Sequence, residues 1–221
     1  AEAGRALRPA DWIGFMAMVV GMFMAILDIQ IVSASIAEIQ AGLSAGPDEV
    51  AWVQTSYLIA EIVMIPLSGW LSRLLSTRIL FVTSALGFAV FSALCATAAS
   101  LPEMIVYRAL QGFLGGAMIP TVFATTFLLF PPEKRGQVSV LIGLTATLAP
   151  TIGPTLGGWL TQTMSWHWLF LINVPVGLVI AGVVFAAIRL DRPDWSLWRS
   201  FDLAGLVLLA LFLRSEEHTS E

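Results

Sequence analysis

Six runs of about twenty apolar residues, nearly free of charge, limit what this chain can fold into. They lie near residues 13–36, 50–70, 79–99, 103–126, 138–160 and 168–188, and a further apolar run opens at Asp202. A helix rising ~1.5 Å per residue needs about 20 residues to cross a hydrocarbon core ~30 Å thick. A backbone in lipid must satisfy its own hydrogen bonds, and none of the runs alternates as a barrel strand does, so the runs predict membrane-spanning helices. Composition agrees: 57% apolar and 12% charged residues leave too little charge to cover a soluble domain. The first run outlasts a signal peptide, lacks a small-residue cleavage pattern and precedes five more. It reads as a retained span.

Lys and Arg set the orientation. The N-terminal segment holds Arg5 and Arg8, the second loop Arg73 and Arg78, the fourth Lys134 and Arg135, and the sixth Arg189, Arg192 and Arg199. The first, third and fifth loops hold none, which predicts a cytoplasmic N-terminus. Trp12, Trp52, Trp166, Trp168 and Trp198 fall at expected span ends, where an interfacial belt belongs. The chain divides into a cytoplasmic N-terminus (1–12), six spans (13–188), a cytoplasmic loop (189–200) and the start of a seventh helix (201–213). Residues 214–221, RSEEHTSE, break an apolar run abruptly and resemble the in-frame translation of a sequencing adapter. The native sequence is expected to stop at Leu213.

A net charge of −4 without a basic patch argues against a nucleic-acid partner. Cys95, the single cysteine, sits in an apolar run and reads as a small packing residue. His167, between two tryptophans, reads as an interfacial anchor. No nucleophile, metal cluster or catalytic pair emerges, so an enzyme is not expected. A receptor would carry sizeable outer loops or a soluble signalling domain, and neither is visible in the sequence.

Away from the span ends three charges remain: Asp28, Glu61 and Arg108. Intramembrane charge costs a few kcal/mol or more and marks function. Asp28 lies roughly 22 Å into the first helix from one side, and Arg108 roughly 8 Å into the fourth from the other. In a core about 30 Å thick these depths nearly coincide, so the two side chains can meet. Two readings stand. Asp28 is a proton-coupling carboxylate with Arg108 as its electrostatic partner, or the two form a static ion pair holding two helices together. Glu61, near the midplane, also has two: contact with a cationic substrate or a proton, or a silent hydrogen bond to a neighbouring helix.

The fourth run carries RALQGFLGG at 108–116, whose Arg108, Gln111, Gly112, Gly115 and Gly116 share one helix face. Small residues there let another backbone approach closely. The fifth carries APTIGPTLGG at 149–158. Pro150 and Pro154 each remove a backbone hydrogen bond, and Gly153, Gly157 and Gly158 permit close contact and bending. The prolines share a face extended by Thr147, Thr151 and Thr161. Pro66 and Pro120, as single prolines, read as structural kinks.

These motifs carry a resemblance. APTIGPTLGG resembles the fifth-helix antiporter motif of drug:proton antiporters of the major facilitator superfamily, and RALQGFLGG resembles that superfamily's fourth-helix motif. LDIQIVSASI at 27–36 and WHWLFLINVPVG at 166–177 are similar to segments of its fourteen-helix EmrB/QacA-type branch. There are departures. GWLSRLLSTR at 69–78 keeps Gly69 and Arg78 of the superfamily's loop motif but has Arg73 in place of aspartate and Ser76 in place of glycine. Ser33 and Ala37 stand where the branch commonly has asparagine and proline.

The resemblance implies an all-α polytopic membrane protein: the N-terminal six-helix half of a major facilitator fold, two inverted three-helix repeats, plus the start of helix seven. It implies proton-coupled export of drugs or other small amphipathic compounds across the bacterial cytoplasmic (inner) membrane by alternating access. Asp28 and Arg108 would carry the coupling, and Gln111 would stand with Glu61 as a substrate or proton contact. No cofactor beyond the proton gradient is implied. Implied partners are the lipid bilayer, the substrate, protons and, in double-membrane bacteria, a periplasmic adaptor and an outer-membrane channel. Uptake of a small nutrient is the alternative, since only the fifth-helix motif speaks for export.

Overall fold

The structure is a computed structural model and describes residues 8–191 and 193–200. The expected seventh helix at 201–213, the tail at 214–221, Arg5 with the rest of residues 1–7, Arg192, and the side chains of Trp198 and Arg199 lie outside the described residues.

Six helical spans are long and apolar enough to cross a membrane. The first three are α1 (Pro9–Ala34), α3 (Trp52–Leu75) and α4 (Thr77–Thr97); a short α2 (Ile36–Leu43) follows α1 after a break at Ser35. The fourth span is divided into α5 (Leu101–Gly115) and α6 (Met118–Leu129), the fifth is α7 (Pro132–Thr163), and the sixth is divided into α8 (Trp168–Leu171) and α9 (Asn173–Ala187). All six expected runs are helical. Boundaries shift by several residues: α1 starts at Pro9 rather than near 13 and α3 runs to Leu75 rather than to 70. The segment after Ser35, expected to be a loop, forms α2, and α7 begins at Pro132 rather than near 138. Pro132 opens that helix and Glu133 lies in its first turn, both favourable at a helix N-terminus, so the polar stretch winds on as helix.

Prolines account for the two divided spans. Pro120 has no N–H to give the Gly116 carbonyl, and the fourth span breaks at Gly116–Ala117. Pro175 leaves the Leu171 carbonyl in the same position, and the sixth span breaks at Ile172. Asn173 thereby becomes the first residue of α9.

The most extensive helix contacts join α1 with α7, α3 with α5, and α4 with α9; α4 with α5 and α1 with α9 follow. Numbered as spans, these pairs are 1–5, 2–4, 3–6, 3–4 and 1–6. Exchanging span 1 with 4, 2 with 5 and 3 with 6 maps this set onto itself, the signature of two interleaved three-helix repeats.

The core has two main apolar layers. One gathers Phe15, Met18, Met22, Phe81, Phe88, Met118 and Ile180. The other gathers Ile31, Val32, Cys95, Met104, Leu169 and Phe170. Along α1, α4, the fourth span and the sixth span, the residues between these layers are Asp28, Ser92, Arg108 with Gln111, and Asn173, all buried. The sequence thus places a polar sheet across the middle of an apolar bundle. Trp166, expected in the interfacial belt, is instead buried, with its indole against Gly42 of α2. The same ring stacks on His167 at 3.8 Å and meets Phe170 edge-on at 6.2 Å.

At the end of the bundle bearing Arg73 and Arg78, Asp191 Oδ2 accepts from Thr77 N at 2.7 Å and Thr77 Oγ1 at 2.6 Å. A carboxylate from beyond α9 thus caps the N-terminus of α4, where the helix dipole favours an anion. The Asp194 N–H donates to the Arg73 carbonyl at 3.2 Å, holding the following segment against the end of α3.

Candidate functional site: a buried ion pair spanning the bundle

Asp28 and Arg108 meet. Arg108 Nη1 donates to Asp28 Oδ2 at 2.5 Å, and both side chains have zero solvent exposure. Further hydrogen bonds to its remaining lone pairs and protons offset the cost of burying such a pair. Arg108 Nη1 also donates to Gln111 Oε1 at 2.8 Å, and Arg108 Nε to the Val53 carbonyl at 3.3 Å. The guanidinium carbon lies 4.2 Å from the Tyr57 ring centroid and 5.8 Å from that of Phe170, within cation–π range. Arg108 Nη2 has no hydrogen-bond partner among the described residues.

The other carboxylate oxygen belongs to the sixth span. Asn173 Nδ2 donates to Asp28 Oδ1 at 2.7 Å and to Ser92 Oγ at 3.0 Å. Gln111 Nε2 donates to the same two atoms, at 3.4 Å and 2.9 Å. Ser92 Oγ passes its own proton to the Phe170 carbonyl at 3.0 Å, and Cys95 Sγ stands 3.6 Å from Gln111 Oε1. The network joins α1, α4, α5 and α9 side chains and touches α3 through Val53 and Tyr57. Asn173, Ser92 and Tyr57 were missed by the reading of charged residues and motifs. Their signal was present: Asn173 is a lone amide in WHWLFLINVPVG, and Ser92 interrupts an apolar run. Cys95, expected only to pack, also borders the network.

Glu61 is buried on α3, one turn beyond Tyr57, and its Oε1 has no hydrogen-bond partner among the described residues. The silent bond to a neighbouring helix is therefore not seen at that oxygen. Its backbone lies against Gly116: a Cβ there would stand 2.9 Å from the Glu61 carbonyl oxygen. Gly115 leaves room for the Tyr57 hydroxyl and the Phe88 ring. The glycines of RALQGFLGG thus bring α5 against α3 closely enough for Arg108 to reach Tyr57 and Asp28.

The fifth-span motif splits by face. Gly153 and Gly157 are buried against Gln30 and Ile31 of α1 and Ser35 at its end. Gly158 has nothing within 4 Å of a Cβ position and takes no part in that contact. Pro150 and Pro154 are exposed, and α7 continues through both. Thr147, Thr151 and Thr161 turn their hydroxyls back to carbonyls four residues earlier, so this face carries little free polarity. Within the loop motif, Gly69 has open space around it, Arg73 Nε bonds its own helix at the Gly69 carbonyl (3.3 Å), and Arg78 lies over Phe185 at 5.2 Å. None of the three approaches the Asp28 network.

Two interleaved helix triplets packed around a buried ion pair have the inverted-repeat arrangement found in many secondary-transporter folds. A match to the family profile over residues 18–214 then makes the assignment: the chain belongs to the Major Facilitator Superfamily. It is 52% identical over 94% of its length to the colistin resistance protein EmrB of Acinetobacter baumannii, and 36% identical over 89% to the multidrug export protein EmrB of Haemophilus influenzae. It is 34% identical over 85% to the fatty acid resistance protein FarB of Neisseria gonorrhoeae. The chain spans 40%, 38% and 37% of these relatives' lengths. Among solved structures, the proton:xylose symporter XylE superposes with a TM-score of 0.71 at 14% identity, over 81% of this chain and 45% of that one. The human organic anion transporter MFSD10 superposes with a TM-score of 0.63 at 17% identity, over 82% and 48%. These likenesses establish the fold.

Proposed function

We propose that this chain is the N-terminal six-helix half of a proton-coupled antiporter that exports drugs or other small amphipathic compounds across a bacterial inner membrane, with its N-terminus cytoplasmic. The observation that carries the reading is the fully buried Asp28–Arg108 pair. A carboxylate at this depth is costly unless paired, and a proton taken up there neutralises it and releases Arg108 from its partner. Two helices then change their electrostatic relation with one protonation event, which is what alternating access needs from a coupling site. The export direction is supported by the names of the relatives and by the proline–glycine face of α7.

The faces of α3 bearing Ile59, Ile62, Ile65 and Gly69, and of α7 bearing Pro150 and Pro154, are exposed. In this reading they meet the second half, the substrate cavity lies between the halves, and Glu61 reaches toward it. A periplasmic adaptor and outer-membrane channel would complete the system in a double-membrane host.

The test uses the intact reading frame containing this chain, expressed in everted vesicles with an imposed proton gradient. Asp28→Asn is expected to abolish gradient-driven dye transport and Asp28→Glu to retain part of it. Gradient-driven transport that survives in Asp28→Asn would refute the coupling role.

A further inference from the structure

We infer that Asn173 is a positioning residue that sets how readily Asp28 exchanges its proton, with Ser92 holding the amide in place; the inference rests on the coupling role proposed for Asp28.

The geometry divides the Asp28 carboxylate between two donors of different kind. Oδ2 faces the charged Arg108 Nη1 from span four, and Oδ1 faces the neutral Asn173 Nδ2 from span six at 2.7 Å. Gln111 Nε2 reaches Oδ1 only at 3.4 Å, so Asn173 is the principal partner of that oxygen. A proton arriving on Oδ2 must displace Arg108. A proton arriving on Oδ1 meets an N–H that the second Asn173 bond, to Ser92 Oγ, holds in that orientation, so the amide favours the charged carboxylate.

Its placement is specific. Pro175 breaks the sixth span at Ile172, which makes Asn173 the first residue of α9, and the residue is 3% exposed. Ser92 Oγ accepts the second Asn173 proton at 3.0 Å while its own proton goes to the Phe170 carbonyl, so its lone pairs stay aimed at the amide. The titratable groups around Asp28 are Arg108 on α5, Cys95 on α4, and Tyr57 and Glu61 on α3. From α9 it is the uncharged Asn173 that meets the carboxylate. Loss of Asn173 therefore removes a donor that favours the charged carboxylate and leaves those four in place.

The experiment is an infrared titration of the full-length transporter in lipid, following the protonated-carboxyl band that disappears in Asp28→Asn. In Asn173→Leu the Asp28 midpoint is expected to move up by about one pH unit, a roughly tenfold gain in proton affinity. Ser92→Ala should move it the same way by less, and Asn173→Ser should restore part of the wild-type midpoint. A role confined to helix packing would change protein yield and leave the midpoint unmoved. An unmoved midpoint in Asn173→Leu overturns the inference. If that variant does not fold, an unmoved midpoint in Ser92→Ala overturns it. Gradient-driven transport persisting in Asp28→Asn brings down the coupling reading instead, and is measured separately.

Discussion

Gly112 of α5 lies directly beneath the backbone carbonyl of Tyr57 on α3, so close that a Cβ built on the glycine would overlap that oxygen. One turn earlier on α5, the Arg108 guanidinium stacks on the ring of the same tyrosine at 4.2 Å. Backbone contact and cation–π contact are thus two consequences of one helix approach. The separation of α3 and α5 sets where the arginine sits, and the arginine sets where the Asp28 carboxylate can be.

Enlarging Gly112 should therefore act on the ion pair as well as on packing. Gly112→Ala is expected to cost ~1–3 kcal/mol, because the obstructing atom is backbone and cannot rotate away. Gly143→Ala is the control, since open space surrounds that position. It should be neutral or stabilise by a few tenths of a kcal/mol to ~1 kcal/mol through helix propensity. Thermal unfolding in detergent reads both. Equal melting temperatures for the two variants would contradict the close approach.

How far the sequence revealed this arrangement depends on the kind of residue. Asp28 and Arg108 were legible because charge in an apolar run is rare and helix rise converts position into depth. The span count was legible for the same reason: runs of about twenty apolar residues have few alternative folds. Asn173 and Ser92 were not singled out, since an uncharged amide or hydroxyl in a span is common, and only three-dimensional neighbours distinguish a network member from a side chain bonded to its own helix. Asp191 could not be linked to Thr77 either, because their approach depends on spans three and six packing together. Gly158 shows the opposite limit: it belongs to the fifth-span motif, yet nothing among the described residues stands within 4 Å of its Cβ position.

Ser76 provides a local test of the turn between α3 and α4. It adopts φ 83° and ψ 148°, a conformation costly for any residue with a Cβ. Its hydroxyl recovers part of that cost by accepting from Ile79 N at 3.3 Å as the N-cap of α4. Ser76→Gly removes the backbone strain, worth ~1–3 kcal/mol, and loses a cap whose replacement by glycine costs only a few tenths of a kcal/mol. The variant is expected to be about 1 kcal/mol more stable, which a rise in melting temperature would register. A lower melting temperature would mean that the hydroxyl matters more than the backbone geometry.

The ion pair itself offers the sharpest separation of structure from mechanism. Asp28→Asn leaves the Arg108 charge buried against Tyr57 and Phe170 without its counter-charge, at a cost of about 3–5 kcal/mol; Arg108→Gln leaves a carboxyl that can take up a proton, and costs less. Removing both at once replaces the pair with neutral groups that still hydrogen-bond to Gln111 and Asn173. Asp28→Asn and Arg108→Gln are therefore each expected to lower the melting temperature, and the double variant to recover most of the loss, a coupling energy of ~3 kcal/mol or less in a double-mutant cycle. A static clamp would then work again in the double variant, because the helices it joined are back in register. A proton-coupling pair would not, because no carboxylate remains to titrate at position 28. Recovered stability with gradient-driven transport still absent is the expected result. Recovered stability together with recovered transport would show that the two charges hold the bundle and carry no protons.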